Sequence, residues 1–385
     1  MHVKFLNLVE HVLRKSTKEH PADAVLRETL KAQVALRPEH ATEVTRAVFA
    51  FYRWRGWLDQ NQEFGSQIDR ALDLTSRFSA RPESFSATEL MDRAVPGWIK
   101  NEMTVTSDWV RAIQAEPKLW LRARPGQGGT LAGILEGCRT FGRGHLSDTL
   151  SYRGLMDLFR TPNFHAGDFE VQDISSQAVG FICDPKPGET WFDACAGEGG
   201  KLLHLSDLMN NQGLIWAADR ASWRLQKLKR RTARAKVFNY RAALWEGGAR
   251  LPTKTKFDGV LVDAPCAGIG TWQRNPHARW MTTPEDVHEL AQVQSRLLSN
   301  VAAAVKPGGK LVYSVCTLSH AETVGVTDAF EQRFPDFSRV EIQNPLKQEP
   351  ADEPRVFFWP QEFGGNGMFV AAWLRNKAPV QPADH

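Results

Sequence analysis

Apolar residues in the first part of the chain recur at helical spacing. The two stripes consist of Leu26, Leu30 and Val34 and of Val44, Val48 and Phe51. Residues three or four positions apart share one face of a helix, so this pattern predicts a helical region over residues 1–79. The basic and aromatic string at residues 52–55 continues the second stripe, and we interpret it as core rather than as a binding surface.

The pattern changes near residue 80, where prolines and glycines interrupt short apolar runs. Residues 119–122 have the composition of a strand, and we predict a small α+β module over residues 80–165. Basic side chains are scattered through it. They can contact RNA phosphates or only keep a surface solvated, and the sequence leaves both interpretations open.

From residue 166 to residue 385, strand-like runs alternate with helix-like ones. The predicted strands are residues 190–193, 214–219, 257–263, 310–316 and 368–374. A helix is predicted over residues 284–304, with Thr283 as its N-cap and Pro307-Gly308-Gly309 as its stop. This alternation predicts an α/β domain with a mostly parallel sheet and helices on both faces. In such sheets, ligands bind beyond the carboxyl ends of the strands.

Composition narrows the class of protein. The chain has 385 residues, of which 42% are hydrophobic and 24% charged, with a net charge of +4. No apolar run reaches the roughly 18 residues that a membrane span needs, and the first residues lack the apolar region of a signal peptide. The five cysteines form no Cys-x-x-Cys pair. We expect a monomeric cytoplasmic protein without a metal site, and the mild basicity permits a nucleic-acid partner.

A glycine-rich turn follows the first strand of the predicted sheet. Residues 193–201 (DACAGEGGK) lack the spacing of a Walker phosphate loop and match a dinucleotide fingerprint only in part. S-adenosylmethionine (AdoMet) carries no pyrophosphate, and Asp219 ends the next strand where it can bind ribose hydroxyls. AdoMet is therefore the favoured cofactor. The candidate cofactor residues are Asp193, Cys195, Ala196, Gly197, Gly199, Gly200, Lys201, Asp219, Arg224, Asp263 and Pro265.

Two cysteines follow strands of the same sheet. Cys266 comes shortly after the strand that ends at Asp263, and Cys316 ends the next strand. Carbon 5 of cytosine is too weak a nucleophile to attack a methyl sulfonium unaided, but addition of a thiolate to carbon 6 activates it. Asp263 is placed to hydrogen-bond the N3 and N4 side of the base. A second thiol can help to release the product, so the pair indicates carbon methylation.

These motifs together resemble the RsmB-type RNA cytosine-C5 methyltransferases, over residues 166–375. The matching residues are Val171-Gln172-Asp173, Ser175-Ser176-Gln177, Asp193 to Lys201, Asp263 to Gly270, Arg274-Asn275-Pro276, Trp280, Cys316-Thr317 and Gly367-Met368-Phe369. The resemblance implies that Cys316 is the nucleophile, that Cys266 assists product release, and that Asp263 and Lys201 lie at the active site. The N-terminal region is similar to the NusB-like RNA-binding domain of that family.

The chain departs from the family pattern at three positions. Glu198 stands where the family usually has proline, Val315 where threonine is common, and no acidic residue ends the strand expected near residues 237–243. Glu246 lies near that strand but out of register. The departures concern contacts to the cofactor rather than the reaction.

The expected substrate is RNA, with ribosomal RNA favoured over transfer RNA. Residues 220–236 carry eight basic residues and no acidic one, which fits either an RNA surface or a solvated helix. We predict phosphate contacts from Arg274 and Arg279, near the Cys266 loop, and from Arg122 in the small module. Two other classes stay open: an RNA-binding assembly factor with weak or no catalysis, and an AdoMet enzyme that acts on a protein or a small molecule.

Overall fold

The computed structural model describes residues 3–33, 36–347 and 352–377. Within these ranges the chain forms two compact units. The first takes its residues from 1–117, 267–287 and 359–364, and the second from 118–266, 288–358 and 365–385. The division into three domains at residues 79 and 165 stays a prediction, while residues 80–117 group with the N-terminal helices.

The first unit is helical. Its helices are Val3–Lys15, Ala22–Ala32, Pro38–Arg53, Phe64–Ala80, Ala87–Arg93, Ser107–Gln114, Pro276–Met281 and Pro360–Phe363, with 3-10 turns at Arg55–Trp57, Pro82–Ser84, Gly97–Asn101 and Ile269–Thr271. Leu26, Val44 and Val48 are buried in one apolar cluster, as the stripes predict. Phe51 is half-buried against it, and Val34 lies outside the described residues.

The aromatic string after Phe51 belongs to the core, which confirms its interpretation. Trp54 is fully buried, and its indole N–H donates to the Thr75 hydroxyl at 3.0 Å. Arg53 is buried beside it and donates to the backbone oxygen of Gln273 at 3.3 Å. Burial lowers the pKa of the Arg53 guanidinium to about 10. These side chains are therefore structural.

The second unit contains every strand that the structure describes. A small antiparallel sheet is built from β1 (Leu119–Ala123), β2 (Cys138–Thr140), β3 (Thr149–Tyr152) and β4 (Phe169–Val171), in the order β2-β3-β1-β4. The helices Gly128–Ile134 and Pro162–Ala166 and the 3-10 turns Gly144–Leu146 and Leu158–Arg160 accompany it. Leu121, Leu150 and Phe169 fill its core.

A large sheet forms the centre of the second unit. Its strands are β5 (Thr190–Asp193), β6 (Leu214–Asp219), β7 (Tyr240–Leu244), β8 (Phe257–Asp263), β9 (Val305–Val315), β10 (Phe337–Arg339), β13 (Val356–Phe358) and β14 (Met368–Arg375), while β11 (Ile342–Gln343) and β12 (Asp352–Glu353) pair separately. The order is β10-β14-β9-β8-β5-β6-β7, and β13 pairs with β14. Strands β7, β6, β5, β8 and β9 run parallel, and β14 is antiparallel to β9.

Helices cover both faces of this sheet, which confirms the predicted fold class. Side chains of Pro284–Ala302 and Val324–Arg333 share one apolar core with β5, β8 and β9. The helices that contact the sheet elsewhere are Ile174–Cys183, Gly200–Leu208 and Ser222–Arg234. Parallel strands need such crossover helices, and the helices bury the sheet on both sides.

The helix at residue 284 begins as predicted but ends for a different reason. The Thr283 hydroxyl accepts the backbone N–H of Asp286 at 3.4 Å, and the Asp286 carboxylate accepts the Thr283 N–H at 3.0 Å, which caps the helix. The helix stops at Ala302, and residues 307–309 lie inside β9, which begins at Val305. The prediction that Pro307-Gly308-Gly309 ends the helix was wrong, because these residues belong to the strand that follows.

None of the helices that the structure describes has both the length and the apolar character that a membrane crossing requires.

Gly259 provides a test of how tightly the sheet packs. It pairs with Trp191 across β8 and β5, and a methyl group at Gly259 would lie 2.2–2.4 Å from three atoms of the indole. Trp191 is buried, and its N–H donates to Glu189 at 2.8 Å, so the ring has little room to yield. Gly259→Ala should lower the free energy of unfolding by about 1–3 kcal/mol in urea titrations.

Gly133→Ala is the matched control, because Gly133 lies in a helix with no atom within 4 Å of an added methyl group. That variant should be neutral or more stable by about 0.4–1 kcal/mol. Equal stability of both variants would contradict the tight packing of Trp191 against β8.

Candidate active site

The carboxyl ends of five parallel strands lie at one edge of the large sheet. Backbone hydrogen bonds extend the pairing into the loops beyond them: Ala194 N–H donates to Leu261 O at 2.9 Å, and Ala264 N–H donates to Ser314 O at 3.0 Å. The loops after β5, β8 and β9 are therefore held side by side. Because each of them carries a motif singled out in the sequence, the fold assembles those motifs into one site.

The glycine-rich turn after β5 depends on left-handed backbone angles. Gly197 has φ 54° and Gly199 has φ 87°. A methyl group at Gly199 would also lie 2.9 Å from the Leu228 side chain, so only glycine fits there. Asp219 closes the turn by accepting the backbone N–H of Gly197 at 2.9 Å and that of Ala221 at 2.8 Å.

A cavity of about 590 Å³ opens between these loops. All the predicted cofactor residues except Gly199 line it. Gly199 is buried behind the wall, and its contribution is the left-handed backbone that shapes the turn. The wall also contains residues that the sequence did not single out as cofactor contacts, namely Ser176, Ala194, Glu198, Arg220, Trp245, Glu246, Gly247, Ala264, Val293 and Leu297.

Glu246 is an acidic residue of the cavity wall. It lies two residues beyond β7, whose last residue is Leu244, and it lines the cavity. β7 spans Tyr240–Leu244, slightly later than the strand expected near residues 237–243. Trp245 and Leu297 add apolar surface to the wall, where a flat ring can pack.

Asp193 is a buried ionisable group of the site. Its carboxylate is buried, and neither oxygen has a hydrogen-bond partner of normal geometry in the part of the chain that the structure describes. Burial, reinforced by the charge of Asp263, raises the pKa of Asp193 to about 8. The charge of Lys201 and the backbone N–H of Cys195 oppose this shift without cancelling it. An unpartnered buried carboxyl in a cavity is what a cationic ligand would satisfy.

Lys201 and Asp263 form a buried ion pair at the inner end of the cavity. Lys201 Nζ lies 2.7 Å from Asp263 Oδ2, and Asp263 Oδ1 accepts the Ser314 hydroxyl at 2.8 Å. Burial lowers the pKa of Lys201, but the charge and hydrogen bond of Asp263 outweigh it, and the net shift is upward. Lys201 therefore stays protonated at neutral pH.

The two predicted cysteines are in contact. The Sγ atoms of Cys266 and Cys316 lie 3.3 Å apart, and both residues line the cavity. The hydrogen bond from Cys266 lowers the pKa of the Cys316 thiol, assisted by the charge of Lys201, against the opposing effects of burial and of the carboxylates Asp263 and Glu322. Cys195, by contrast, has its pKa raised by burial and by nearby carboxylates. Cys316 is thus the thiol best suited to react as a thiolate.

Comparison with known proteins now identifies the family. Residues 181–374 match the family model described as 16S rRNA methyltransferase RsmB/F. The chain belongs to the RsmB/F family. The resemblance inferred from the motifs and the methyltransferase fold are both confirmed. The cofactor of this family is S-adenosylmethionine, in agreement with the glycine-rich turn.

Curated relatives match different shares of this RsmB/F chain. A Synechocystis sp. protein named "Probable ribosomal RNA small subunit methyltransferase B" is 43% identical over 46% of the chain and 40% of its own length. An Erwinia tasmaniensis protein named "Ribosomal RNA small subunit methyltransferase B" is 27% identical over 92% of the chain and 78% of its own length. The match therefore spans less than half of the first relative.

A solved structure shares the fold over nearly the whole chain. The protein described as PH0851 superposes with a TM-score of 0.79 at 22% identity, covering 97% of this chain and 99% of that one. At this identity the likeness concerns the fold alone.

The residues of the RsmB/F cavity fit the cofactor. Bound AdoMet carries a sulfonium and an ammonium against one carboxylate, so it is a net cation. Asp193, Asp219 and Glu246 give the cavity acidic walls, and Asp193 lacks a partner that a cationic group would provide. The turn at Gly197 and Gly200 leaves the backbone open to a ligand.

Arg122 is not placed to contact RNA, which corrects the prediction made from the sequence. It is buried, forms an ion pair with Asp207, and donates through Nε to Gln172 Oε1 at 2.7 Å. Asp207 also pairs with Arg124 at 2.7 Å. Arg122 therefore ties β1 to the helix Gly200–Leu208 within the second unit.

Arg279 is likewise a structural residue and not a phosphate contact. It is fully buried and donates to Gln114 Oε1 at 2.6 Å and to the backbone oxygens of Ala94 and Ile113, both at 2.9 Å. Burial, with the charge of Arg53 acting in the same direction, lowers its pKa to about 9. Arg274 is half-buried, and its contact with RNA stays a prediction.

The raised pKa of Asp193 predicts a pH-dependent gain in stability when the carboxyl is removed. Between the unfolded pKa of about 3.9 and the folded value, the folded protein binds the extra proton, so its stability falls as pH rises. Asp193→Asn cannot titrate. In the absence of ligand, its melting temperature should exceed that of the wild type by more at pH 8 than at pH 5, while its affinity for AdoMet falls.

Asp258→Asn is the control for this comparison. Asp258 accepts hydrogen bonds from Thr190 N–H at 2.9 Å and from Lys306 at 2.7 Å, which outweigh its burial and lower its pKa. Its substitution should lower the melting temperature about equally at both pH values. A gain for Asp193→Asn that does not grow with pH would refute a raised pKa.

Proposed function

We propose that the protein transfers a methyl group from AdoMet to carbon 5 of a cytosine in RNA, through a covalent adduct between Cys316 and carbon 6. The observation that carries this proposal is the pair of sulfurs 3.3 Å apart on the cofactor cavity, beside the Lys201–Asp263 ion pair. Methylation of an exocyclic nitrogen needs no thiol. Two thiols in contact at the cavity favour carbon chemistry.

The first step uses the lowered pKa of Cys316. The Cys316 thiolate adds to carbon 6 and a carbon–sulfur bond forms. The electrons of the 5,6 double bond form a 4,5 double bond and the negative charge passes to N3, which makes carbon 5 nucleophilic. Asp263 can accept a hydrogen bond from the exocyclic amine, and the Lys201 ammonium offers a positive charge to the base. The cofactor, when bound, would supply the methyl group of its sulfonium to carbon 5 and leave as the neutral thioether S-adenosylhomocysteine.

The second half of the reaction releases the enzyme from the cytosine. A general base takes the proton from the methylated carbon 5, the 5,6 double bond re-forms, and the Cys316 thiolate leaves. Cys266 is the nearest candidate for assisting this release, because its sulfur already contacts that of Cys316. The charge of Lys201 stabilises the departing thiolate as it stabilised the attacking one.

An RNA substrate is supported by the charge of the second unit. Residues 220–245 contain nine basic residues and no acidic one. Four of them pair with carboxylates, namely Arg224, Lys227, Arg231 and Arg234. The other five form no ion pair within the described ranges, and Lys229, Phe238 and Arg241 border one groove. Unpaired cations beside aromatic rings suit a single strand, and the family description favours 16S ribosomal RNA.

Substitution of each of the two cysteines should block a different step of the reaction. With RNA lacking the modification and labelled AdoMet, Cys316→Ala should reduce formation of 5-methylcytosine by about a thousandfold or more, because no adduct can form. Cys266→Ala should instead accumulate a protein–RNA adduct that resists denaturation. Gel mobility and nucleoside analysis measure the two outcomes.

Cys138→Ala is the matched control, since Cys138 is buried in the small sheet. It should methylate at the wild-type rate. Normal turnover by Cys266→Ala without adduct would eliminate the two-thiol mechanism. Bound AdoMet with no label in any RNA would favour the alternative of a binding factor or of another methyl acceptor.

The groove can be tested by reversing its charge. Lys229 and Arg241 are both exposed, so Lys229→Glu with Arg241→Glu should fold normally. RNA affinity should fall by about tenfold or more, and each lost phosphate contact should reduce the salt slope of binding by about 0.7. Fluorescence anisotropy at several salt concentrations gives both quantities.

The same charge change at Lys254 and Lys256, which precede β8 and are also exposed, is the control. It should leave affinity and salt slope nearly unchanged. Equal losses from both double variants would indicate a general effect of net charge and no RNA site at the groove.

A further inference from the structure

A buried glutamine is bonded to the loop that carries Cys266. Gln294 lies in the helix Pro284–Ala302 and donates through Nε2 to the backbone oxygen of Pro265 at 2.9 Å. The same nitrogen donates to Oε1 of Glu322 at 3.0 Å. Both hydrogens of the amide are thus used, one of them on the residue directly before Cys266.

A buried glutamate is bonded in turn to the segment that carries Cys316. Oε2 of Glu322 accepts the hydroxyl of Thr317 at 2.9 Å and that of Ser319 at 2.8 Å. Thr317 directly follows Cys316 in the sequence. One chain of hydrogen bonds therefore joins the neighbours of the two cysteines through Gln294 and Glu322, which belong to neither cysteine motif.

The orientation of this network is fixed. Gln294, Thr317 and Glu322 are each 0% exposed. The Tyr313 hydroxyl lies 3.0 Å from Gln294 Oε1 and 2.7 Å from the backbone oxygen of Glu322, so the glutamine cannot flip its amide without losing partners. A buried polar network whose members are all bonded specifies one geometry, because any other arrangement leaves a polar group unpaired.

We propose that Gln294 and Glu322 are positioning residues that hold the Cys266 thiol against the Cys316 sulfur. The proposal rests on the proposed role of Cys316 as the nucleophile. A thiol is a weak hydrogen-bond donor, so its effect on the neighbouring sulfur depends on close contact. The network supplies that contact from outside the cavity, where it touches neither the base nor the cofactor.

Loss of the contact has a defined chemical consequence. The hydrogen bond from Cys266 is the largest single influence that lowers the pKa of Cys316. Without it, burial and the carboxylates of Asp263 and Glu322 act against the thiolate, and the charge of Lys201 opposes them. The thiol should then titrate at higher pH, and methylation should slow for the same reason.

Alkylation of Cys316 by iodoacetamide tests the proposal without RNA. Gln294→Leu and Thr317→Val each cut the network without changing its charge. In each, the apparent pKa of Cys316, measured from alkylation rates of its peptide by mass spectrometry, should rise by about one unit, so that the rate at pH 7 falls about tenfold. Affinity for AdoMet, measured by calorimetry, should stay within about twofold of the wild type.

Two controls separate positioning from a general loss of stability. Thr327→Val removes another fully buried hydroxyl, which donates to the backbone oxygens of Val324 at 3.0 Å and Thr323 at 3.2 Å, and it should leave the titration of Cys316 unchanged. Thr317→Ser keeps the hydroxyl and should restore the wild-type profile. In a Cys266→Ala background, Gln294→Leu should add no further shift, because its effect passes through that thiol.

A wild-type alkylation profile in both Gln294→Leu and Thr317→Val, whatever their melting temperatures, would overturn the proposal. So would a shift of equal size in the Cys266→Ala background. These outcomes leave the proposed methylation untouched, whereas failure of the wild type to methylate RNA would count against the reaction and not against the network.

Discussion

The parallel register of β8 on β9 is the constraint on which the site depends. Asp263 pairs with Ser314 and Leu261 with Val312, and β5 joins the same frame through the pairing of Asp193 with Leu261. Side chains alternate between the faces of a strand, so a slip of one residue would turn Asp263 away from Lys201. The same register brings the loop of Cys266 beside that of Cys316. The chemistry thus depends on backbone pairing that buried apolar residues enforce.

Charged side chains are distributed unevenly around the carboxyl ends of β5, β8 and β9. Lys201 is a buried cation that forms an ion pair with Asp263, and its charge also helps to lower the pKa of Cys316. Asp193 is left without a comparable partner, which destabilises the ligand-free protein at neutral pH. Such an arrangement is expected where a cationic ligand completes the site. The free-energy cost of burying the charged carboxylate is offset only when the ligand binds beside it.

The core strands could be predicted from the sequence because they are continuous apolar runs bounded by glycine, proline and aspartate. Strands β5, β6 and β8 have the predicted bounds, and the reacting residues follow from their ends. The errors concern polar residues. Nothing local distinguishes Arg122 and Arg279 from surface arginines, because their partners, Asp207 and the oxygens of residues 94–114, are distant in sequence.

The positions of Gln294 and Glu322 could not be predicted from the sequence for the same reason. A glutamine in a charged helix and a glutamate in a loop have the composition of solvated surface, and only their burial against Pro265 and Thr317 marks them. The strand expected near residues 237–243 lies at Tyr240–Leu244, so Glu246 follows it by two residues and reaches the cavity wall. Apolar periodicity identifies elements, whereas the partners of buried polar groups are set by tertiary pairing.

The first unit is assembled from three separate stretches of chain, and this limits how the protein can be divided. Within it, the Trp280 indole donates to Tyr52 O at 2.6 Å, and Arg279 takes its acceptors from residues 94–114. Deleting the N-terminal 117 residues would leave residues 267–287, which directly follow Cys266, without their packing partners. A cut at residue 117 therefore removes only part of the first unit and exposes the apolar and hydrogen-bonding surfaces of residues 267–287 that the N-terminal helices cover.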